Sequence, residues 1–142
     1  MGYRRKGREL ALQFLYAYEL NRQSKEDALK EFQSQTSAPE PVGRFALELI
    51  SGVLDRLEEI DGRLTEYARN WKLDRMALVD KQVLRLALYE LYYREDIPYL
   101  VTINEAVEIA KEFSTPQSGR FVNGILDRIR EELEAAGKSN GN

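Results

Sequence analysis

Apolar residues recur at helical spacing along almost the whole chain, and no segment alternates between apolar and polar positions as a half-buried strand would. The pattern therefore predicts an all-α fold. A first helix is expected from about Arg5 to Asn21. Ser24 is expected to cap a second helix that reaches about Phe32, because a serine oxygen satisfies a free N–H of the first turn.

Two closely spaced prolines, Pro39 and Pro41, predict a linker at about residues 34–41, because proline is not tolerated inside a helix. We expect one domain over residues 1–142. It would consist of a front helical part (about 1–34), a rear helical part (about 42–134) and a mobile tail (about 135–142).

Helical spacing in the rear part predicts a third helix that ends near Glu59. Gly62 is expected to mark a bend into a fourth helix that contains Leu64, Tyr67 and Trp71. These positions predict two consecutive helices with the bend between them.

The remaining pattern predicts three more helices. Residues 74–93 are apolar on nearly all sides, which is typical of a central, buried helix. Thr102 and Glu105 have the spacing of a capping box that opens a sixth helix. Either Thr115, which precedes a proline, or Ser118 is expected to cap the seventh.

Composition excludes several kinds of chemistry. The 142 residues include no cysteine and no histidine, so thiolate nucleophiles, the usual zinc sites and histidine-based catalysis are absent. We expect a protein that is not an enzyme and that needs no cofactor or metal. No secretory signal and no apolar run of membrane-spanning length occur, so a cytoplasmic location is expected.

The charge is unevenly distributed. The net charge is −3, yet Arg4, Arg5, Lys6 and Arg8 lie together at the N-terminus without an acidic neighbour before Glu9. These cations would oppose the positive end of a helix dipole, which favours an anionic ligand over a merely solvated helix start. Tyr16 would follow Arg5 and Arg8 along one flank, an arrangement suited to unstacked bases of single-stranded RNA.

A second candidate lies at residues 118–124, Ser-Gly-Arg-Phe-Val-Asn-Gly. It could present a helix N-terminus, Arg120 and Phe121 to an anion, or it could serve helix packing alone. Packing is preferred for Val122 and Gly124, whereas both alternatives stay open for Arg120 and Phe121. The acidic side chains, including Asp74 and Asp80, are expected to be solvated surface rather than acid–base or metal sites.

Four segments together resemble the NusB family of bacterial transcription antitermination factors. They are residues 4–16, 79–91, 97–111 and 118–127, the last of which contains Phe-Val-Asn-Gly. The resemblance covers essentially the whole chain. It implies a seven-helix bundle in two small subdomains that binds boxA RNA of nascent transcripts together with NusE, a small-subunit ribosomal protein. RNA polymerase and other Nus factors would be indirect partners, and ribosomal RNA operons the expected targets.

The resemblance also implies roles for individual residues. The implied RNA contacts are Arg4, Arg5, Lys6, Arg8, Tyr16, Tyr67, Arg120 and Phe121. The implied NusE contacts are Tyr16, Asp74 and Asp80. Some family members have a longer arginine-rich start, a lysine at the position of Arg120, or an acid at that of Gln117.

Two alternative functions would have different sequence requirements. A similar domain is fused to RNA cytosine methyltransferases, but this chain has no cysteine nucleophile and no Rossmann-like part, so that activity is not expected. A protein-interaction module without specific RNA binding remains as the alternative. An RNA competition experiment would distinguish it from the RNA-binding function. The free protein is expected to be a monomer or a weak homodimer.

Overall fold

The computed structural model describes residues 2–68 and 75–137. Over these ranges the backbone forms seven helices and no strand, which confirms the predicted all-α fold. The helices are α1 (Gly2–Asn21), α2 (Lys25–Gln35), α3 (Glu40–Asp55), α4 (Leu57–Tyr67), α5 (Leu78–Tyr93), α6 (Tyr99–Phe113) and α7 (Pro116–Ala135).

The cap of α2 lies where the sequence predicts it. The Ser24 hydroxyl accepts a hydrogen bond from the Asp27 amide at 3.1 Å. Beyond Gln35, residues 36–39 are non-helical, and Pro41 falls in the first turn of α3, where its missing N–H has no helical partner to lose. The connection is therefore shorter than residues 34–41. The division into front and rear parts stays a prediction.

The bend between α3 and α4 was predicted at the wrong residue. The helix breaks at Arg56, whose amide hydrogen-bonds to the Val53 carbonyl at 3.2 Å, and Gly62 lies inside α4. The Arg56 guanidinium lies 4.3 Å from the centre of the Tyr93 ring, and this cation–π contact holds the break against α5. Trp71 lies outside the described residues.

The predicted capping box of α6 is also wrong. The helix begins at Tyr99 after Pro98, so Thr102 and Glu105 lie within it. Both side chains bond to other helices instead: the Thr102 hydroxyl donates to Glu90 of α5, and the Glu105 carboxylate accepts from Arg5 of α1. Of the two caps predicted for α7, Thr115 is confirmed, because its hydroxyl accepts a hydrogen bond from the Ser118 amide at 3.1 Å. The predicted mobile tail lies largely outside the described residues.

The core is centred on α5, as its apolar pattern predicts. Leu84 and Leu88 of α5 are fully buried in one hydrophobic cluster that also contains Leu15 of α1, Leu49 of α3 and Leu126 of α7. The cluster therefore joins elements from both ends of the chain. None of the helices within the described ranges is long and apolar enough to cross a bilayer.

A partly buried polar network ties α1 to α5. The Glu19 carboxylate accepts hydrogen bonds from Lys81 Nζ at 2.7 Å, Gln82 Nε2 at 2.8 Å and Arg85 Nη1 at 2.6 Å. Arg85 also donates to both carboxylate oxygens of Asp61 in α4, at 2.9 and 2.7 Å. Partial burial alone would raise the pKa of Glu19, but the three donors outweigh it and lower the pKa to about 2.

This pKa predicts a pH-dependent contribution of Glu19 to stability. A carboxylate whose pKa is depressed on folding stabilises the fold above its unfolded pKa, and the contribution is lost as the pH falls towards the folded value. Glu19→Gln should lower the free energy of unfolding by about 1–3 kcal/mol at neutral pH, because hydrogen bonds to a charged group are lost. The difference from the unsubstituted protein should shrink as the pH falls from 4.5 towards about 2.

Urea unfolding followed by circular dichroism across that pH range measures the difference. The exposed Glu131→Gln provides a matched control and should change stability little at any pH. A Glu19→Gln effect that stayed constant down to the lowest pH would contradict the network as the cause.

Candidate nucleic-acid interface

The basic N-terminal segment, Arg4 to Arg8, is not a detached arm but the start of α1, packed against the other helices. A Cβ placed on Gly7 would lie 2.7 Å from the Phe45 ring of α3 and 3.3 Å from the Val42 carbonyl. Packing of α1 against α3 therefore already involves Gly7. The close approach at Gly7 fixes the position of the neighbouring cations.

Arg8 is buried, and only 4% of its surface is exposed. Its Nε and Nη2 atoms donate to the two carboxylate oxygens of Glu90 in α5, at 2.8 and 3.0 Å. The Thr102 hydroxyl of α6 donates to the same carboxylate at 2.6 Å. A phosphate could reach the Arg8 guanidinium only by displacing a buried acid, so in this structure Arg8 joins helices rather than lining the surface.

Arg5 is half-buried and paired with Glu105 of α6. Its Nε and Nη2 atoms donate to the Glu105 oxygens at 2.5 and 2.9 Å. The Glu105 hydrogen bond raises the pKa of Arg5, and the same bond lowers the pKa of Glu105. Part of the Arg5 charge is thus already neutralised at the surface.

The other two cations of the segment are more accessible. Arg4 lies 3.7 Å from Asp96 and 5.1 Å from the centre of the Phe45 ring, with about a third of its side chain exposed. Lys6 is exposed and forms no ion pair at contact distance with a carboxylate among the described residues. One short basic run therefore contains a buried, a paired, a partly shielded and a free cation.

Tyr67 is held by α7. The residue is 9% exposed, and its hydroxyl donates to Glu132 at 2.5 Å. The Arg128 guanidinium lies 5.4 Å from the ring centre and also donates to the Tyr67 carbonyl at 3.1 Å. Burial, together with the bond to Glu132, raises the pKa of Tyr67. A base could not stack on this ring without a rearrangement.

Arg120 and Phe121, near the start of α7, face two different depressions. Phe121 is half-buried and borders a cleft of about 400 Å³ together with Arg75 and Thr115. Arg120 is exposed and borders a groove of about 450 Å³ between α6 and α7. A cation and an aromatic ring therefore border two neighbouring depressions at the start of α7.

The residues implied for NusE binding are placed differently from one another. Tyr16 is 39% exposed on α1. Asp80 is only 7% exposed, and its Oδ2 accepts from the Ser118 hydroxyl at 3.1 Å. Its Oδ1 has no hydrogen-bond partner in the described part of the chain. Asp80 was expected at the solvated surface, but it lies beneath it and orients the start of α7. Asp74 lies outside the described residues.

The groove beside Arg120 includes residues that sequence reasoning did not select individually. Asn104 and Lys111 face it from α6, and Asn123 faces it from α7. A sequence signal existed for Asn104 and Lys111, because positions 104, 108 and 111 share one helical face. That face is recognisable as the wall of a groove only once α7 is known to pack beside it.

Comparison with known proteins gives a consistent result. The model of the NusB family matches residues 5–131. A transcription antitermination protein NusB from Thermodesulfovibrio yellowstonii is 43% identical over 96% of this chain and 97% of its own length. Another from Geotalea daltonii is 48% identical over 94% of this chain and 97% of its own.

Solved structures agree with the fold. The structure of T. maritima NusB has a TM-score of 0.81 and 40% identity, over 91% of both chains. A structure of antitermination factors NusB and NusE in complex with dsRNA also has a TM-score of 0.81, at 25% identity, over 93% of this chain and 98% of that one.

The burial of Arg8 predicts that its main effect is on stability. Arg8→Met should lower the free energy of unfolding by about 3–5 kcal/mol, because Glu90 would be left charged and without its main partner. Adding Glu90→Gln should restore part of the loss while keeping an acceptor for Thr102. Lys6→Met, a matched change of an exposed cation in the same segment, should alter stability by less than about 0.5 kcal/mol.

Urea unfolding of the single and double variants measures these differences. If Arg8→Met kept full stability and lost only RNA affinity, the guanidinium would be a phosphate ligand and the buried pair would be unimportant.

Proposed function

The chain belongs to the NusB family, and we propose that it is a transcription antitermination factor that binds boxA-type RNA of nascent transcripts together with NusE. RNA polymerase and other Nus factors are its indirect partners, and ribosomal RNA operons are its proposed targets. It acts in the cytoplasm, and catalysis is not part of the proposed function.

The observation that carries this proposal is the match in fold and length to a NusB protein whose structure holds both NusE and RNA. The surface described above has the chemistry that this role requires. Exposed Lys6 and Arg120 can contact phosphates, and Phe121 beside Arg120 can stack on a base.

The proposed RNA surface therefore differs in detail from the implied set. Arg4, Lys6, Arg120 and Phe121 contact RNA directly, and Arg5 does so from within its pair with Glu105. Arg8 and Tyr67 act indirectly, because the first anchors the start of α1 and the second anchors α7 through Glu132.

The proposed NusE surface is centred on Tyr16, which is exposed on α1. Asp80 supports this role from below the surface by binding Ser118 and thereby orienting the first turn of α7. Asp74 is kept as a proposed contact on the basis of the family alone.

The first test is a salt series. The affinity for a short boxA RNA is measured at increasing salt, with and without purified NusE, for the unsubstituted protein, Lys6→Gln and Arg120→Gln. Each lost phosphate contact should reduce the steepness of log affinity against log salt by about 0.7 for single-stranded RNA and about 0.9 for a duplex.

Lys30→Gln, which removes an exposed lysine on α2, is the control and should leave the slope unchanged. If NusE fails to tighten binding to boxA over a scrambled RNA, the proposed function is wrong, and a protein-interaction module becomes the better description.

A second test separates the NusE surface from the RNA surface. Tyr16→Ala should weaken NusE binding about tenfold, because exposed tyrosines that become buried at an interface are common hot spots. Tyr3→Ala is a matched control, since Tyr3 is an equally accessible tyrosine on the same helix, 45% exposed. Calorimetric titration of NusE measures both. Equal losses for the two variants would remove Tyr16 from the interface.

A further inference from the structure

We propose that the groove between α6 and α7 receives one RNA base and that Asn104 and Asn123 recognise its edge. The proposal rests on the RNA-binding function above and names the residues that would give it sequence preference. The groove has a volume of about 450 Å³, within the range of small-ligand sites, and Asn104, Glu108, Lys111, Gly119, Arg120 and Asn123 line it.

The two asparagines face the groove from opposite helices. Both are exposed, and neither side chain hydrogen-bonds to another described residue. Asparagine is a poor helix former, so an asparagine inside each of two helices reduces helix stability without an internal hydrogen bond in return. A carboxamide carries a donor and an acceptor side by side, as the edges of bases do.

The charges of the groove suit a base with one adjoining phosphate better than a run of phosphates. Lys111 Nζ already donates to Glu108 at 3.2 Å, so its charge is partly neutralised. Arg120 has no carboxylate partner within the described ranges. Glu108 would repel a phosphate, but its oxygens can accept from an amino group of a base.

Gly119 shapes one end of the groove. A Cβ at this position would lie 2.5 Å from Lys111 Cγ and 2.9 Å from Cδ, so the aliphatic part of Lys111 lies directly on the glycine. This contact holds the stem of Lys111 against the start of α7. The two asparagines that line the same groove are exposed.

The groove is separate from the proposed stacking site but adjoins it through two consecutive residues of α7. Arg120 and Phe121 are consecutive residues of α7, so their side chains leave the helix about 100° apart and face the groove and the neighbouring cleft respectively. A phosphate on Arg120 would place one flanking base near Phe121 and the other in the groove. This arrangement favours RNA over a protein side chain as the occupant.

The test uses the full chain with NusE and a boxA RNA in which each base in turn is replaced by the other three. For the unsubstituted protein, at least one position should show a strong preference. Asn104→Ala with Asn123→Ala should reduce that preference about tenfold, which is within the discrimination expected of a carboxamide–base pair, and should leave the affinity for scrambled RNA unchanged. Preferences at the other positions should persist.

Both substitutions place alanine at exposed helical positions, so the double variant should fold, as circular dichroism would show. Gln33→Ala, which removes an exposed carboxamide from α2, is the matched control and should change no preference. A double variant that kept every base preference would overturn the inference while leaving the proposed function intact.

Two other results are also decisive. If the double variant lost affinity for NusE and not for the preferred RNA, the groove would be a protein contact and the inference would be overturned. If the unsubstituted protein did not distinguish boxA from scrambled RNA, the proposed function would fail, and the inference would fail with it.

Discussion

The buried carboxylate of Glu90 is the constraint on which the candidate surface depends. It lies in the last turn of α5 and is 1% exposed, and an unpaired charge there would cost several kcal/mol. Arg8 of α1 and Thr102 of α6 supply its hydrogen bonds. One acid therefore fixes two neighbouring helices at defined positions on α5, and with them the exposed Lys6 and the Arg5–Glu105 pair.

The same principle operates towards the other end of α1, where Glu19 receives donors from Lys81, Gln82 and Arg85. Apolar contacts hold α1 against the core, but they are not directional and would tolerate sliding or rotation of the helix. Two polar clusters at separate points along α1 restrict both movements. The fold thus uses its buried charges for orientation and its aliphatic cluster for most of the stability.

Local patterns predicted the helices well, because helical periodicity and the caps at Ser24 and Thr115 depend on nearby residues. They failed where residues distant in the sequence determine whether a side chain is buried or exposed. Arg8 and Lys6 belong to one basic run, yet Arg8 is buried by an acid 82 positions away while Lys6 stays free. The Tyr67 hydroxyl is likewise bonded to a residue 65 positions away. Thr102 and Glu105 match a capping motif, but their side chains meet acids and cations from other helices.

These pairings decide how an acidic chain can bind RNA. The net charge is −3, and Arg5 and Arg8 are both engaged by carboxylates. On the proposed surface, Lys6 and Arg120 form no described ion pair, so phosphate neutralisation by this chain is limited to few contacts. Binding that is both tight and selective then has to come from stacking, from base edges and from cations supplied by the partner. On such a surface the carboxamides of Asn104 and Asn123 and the ring of Phe121 determine which RNA is bound. The buried Arg8 contributes indirectly, because it holds the start of α1 in position.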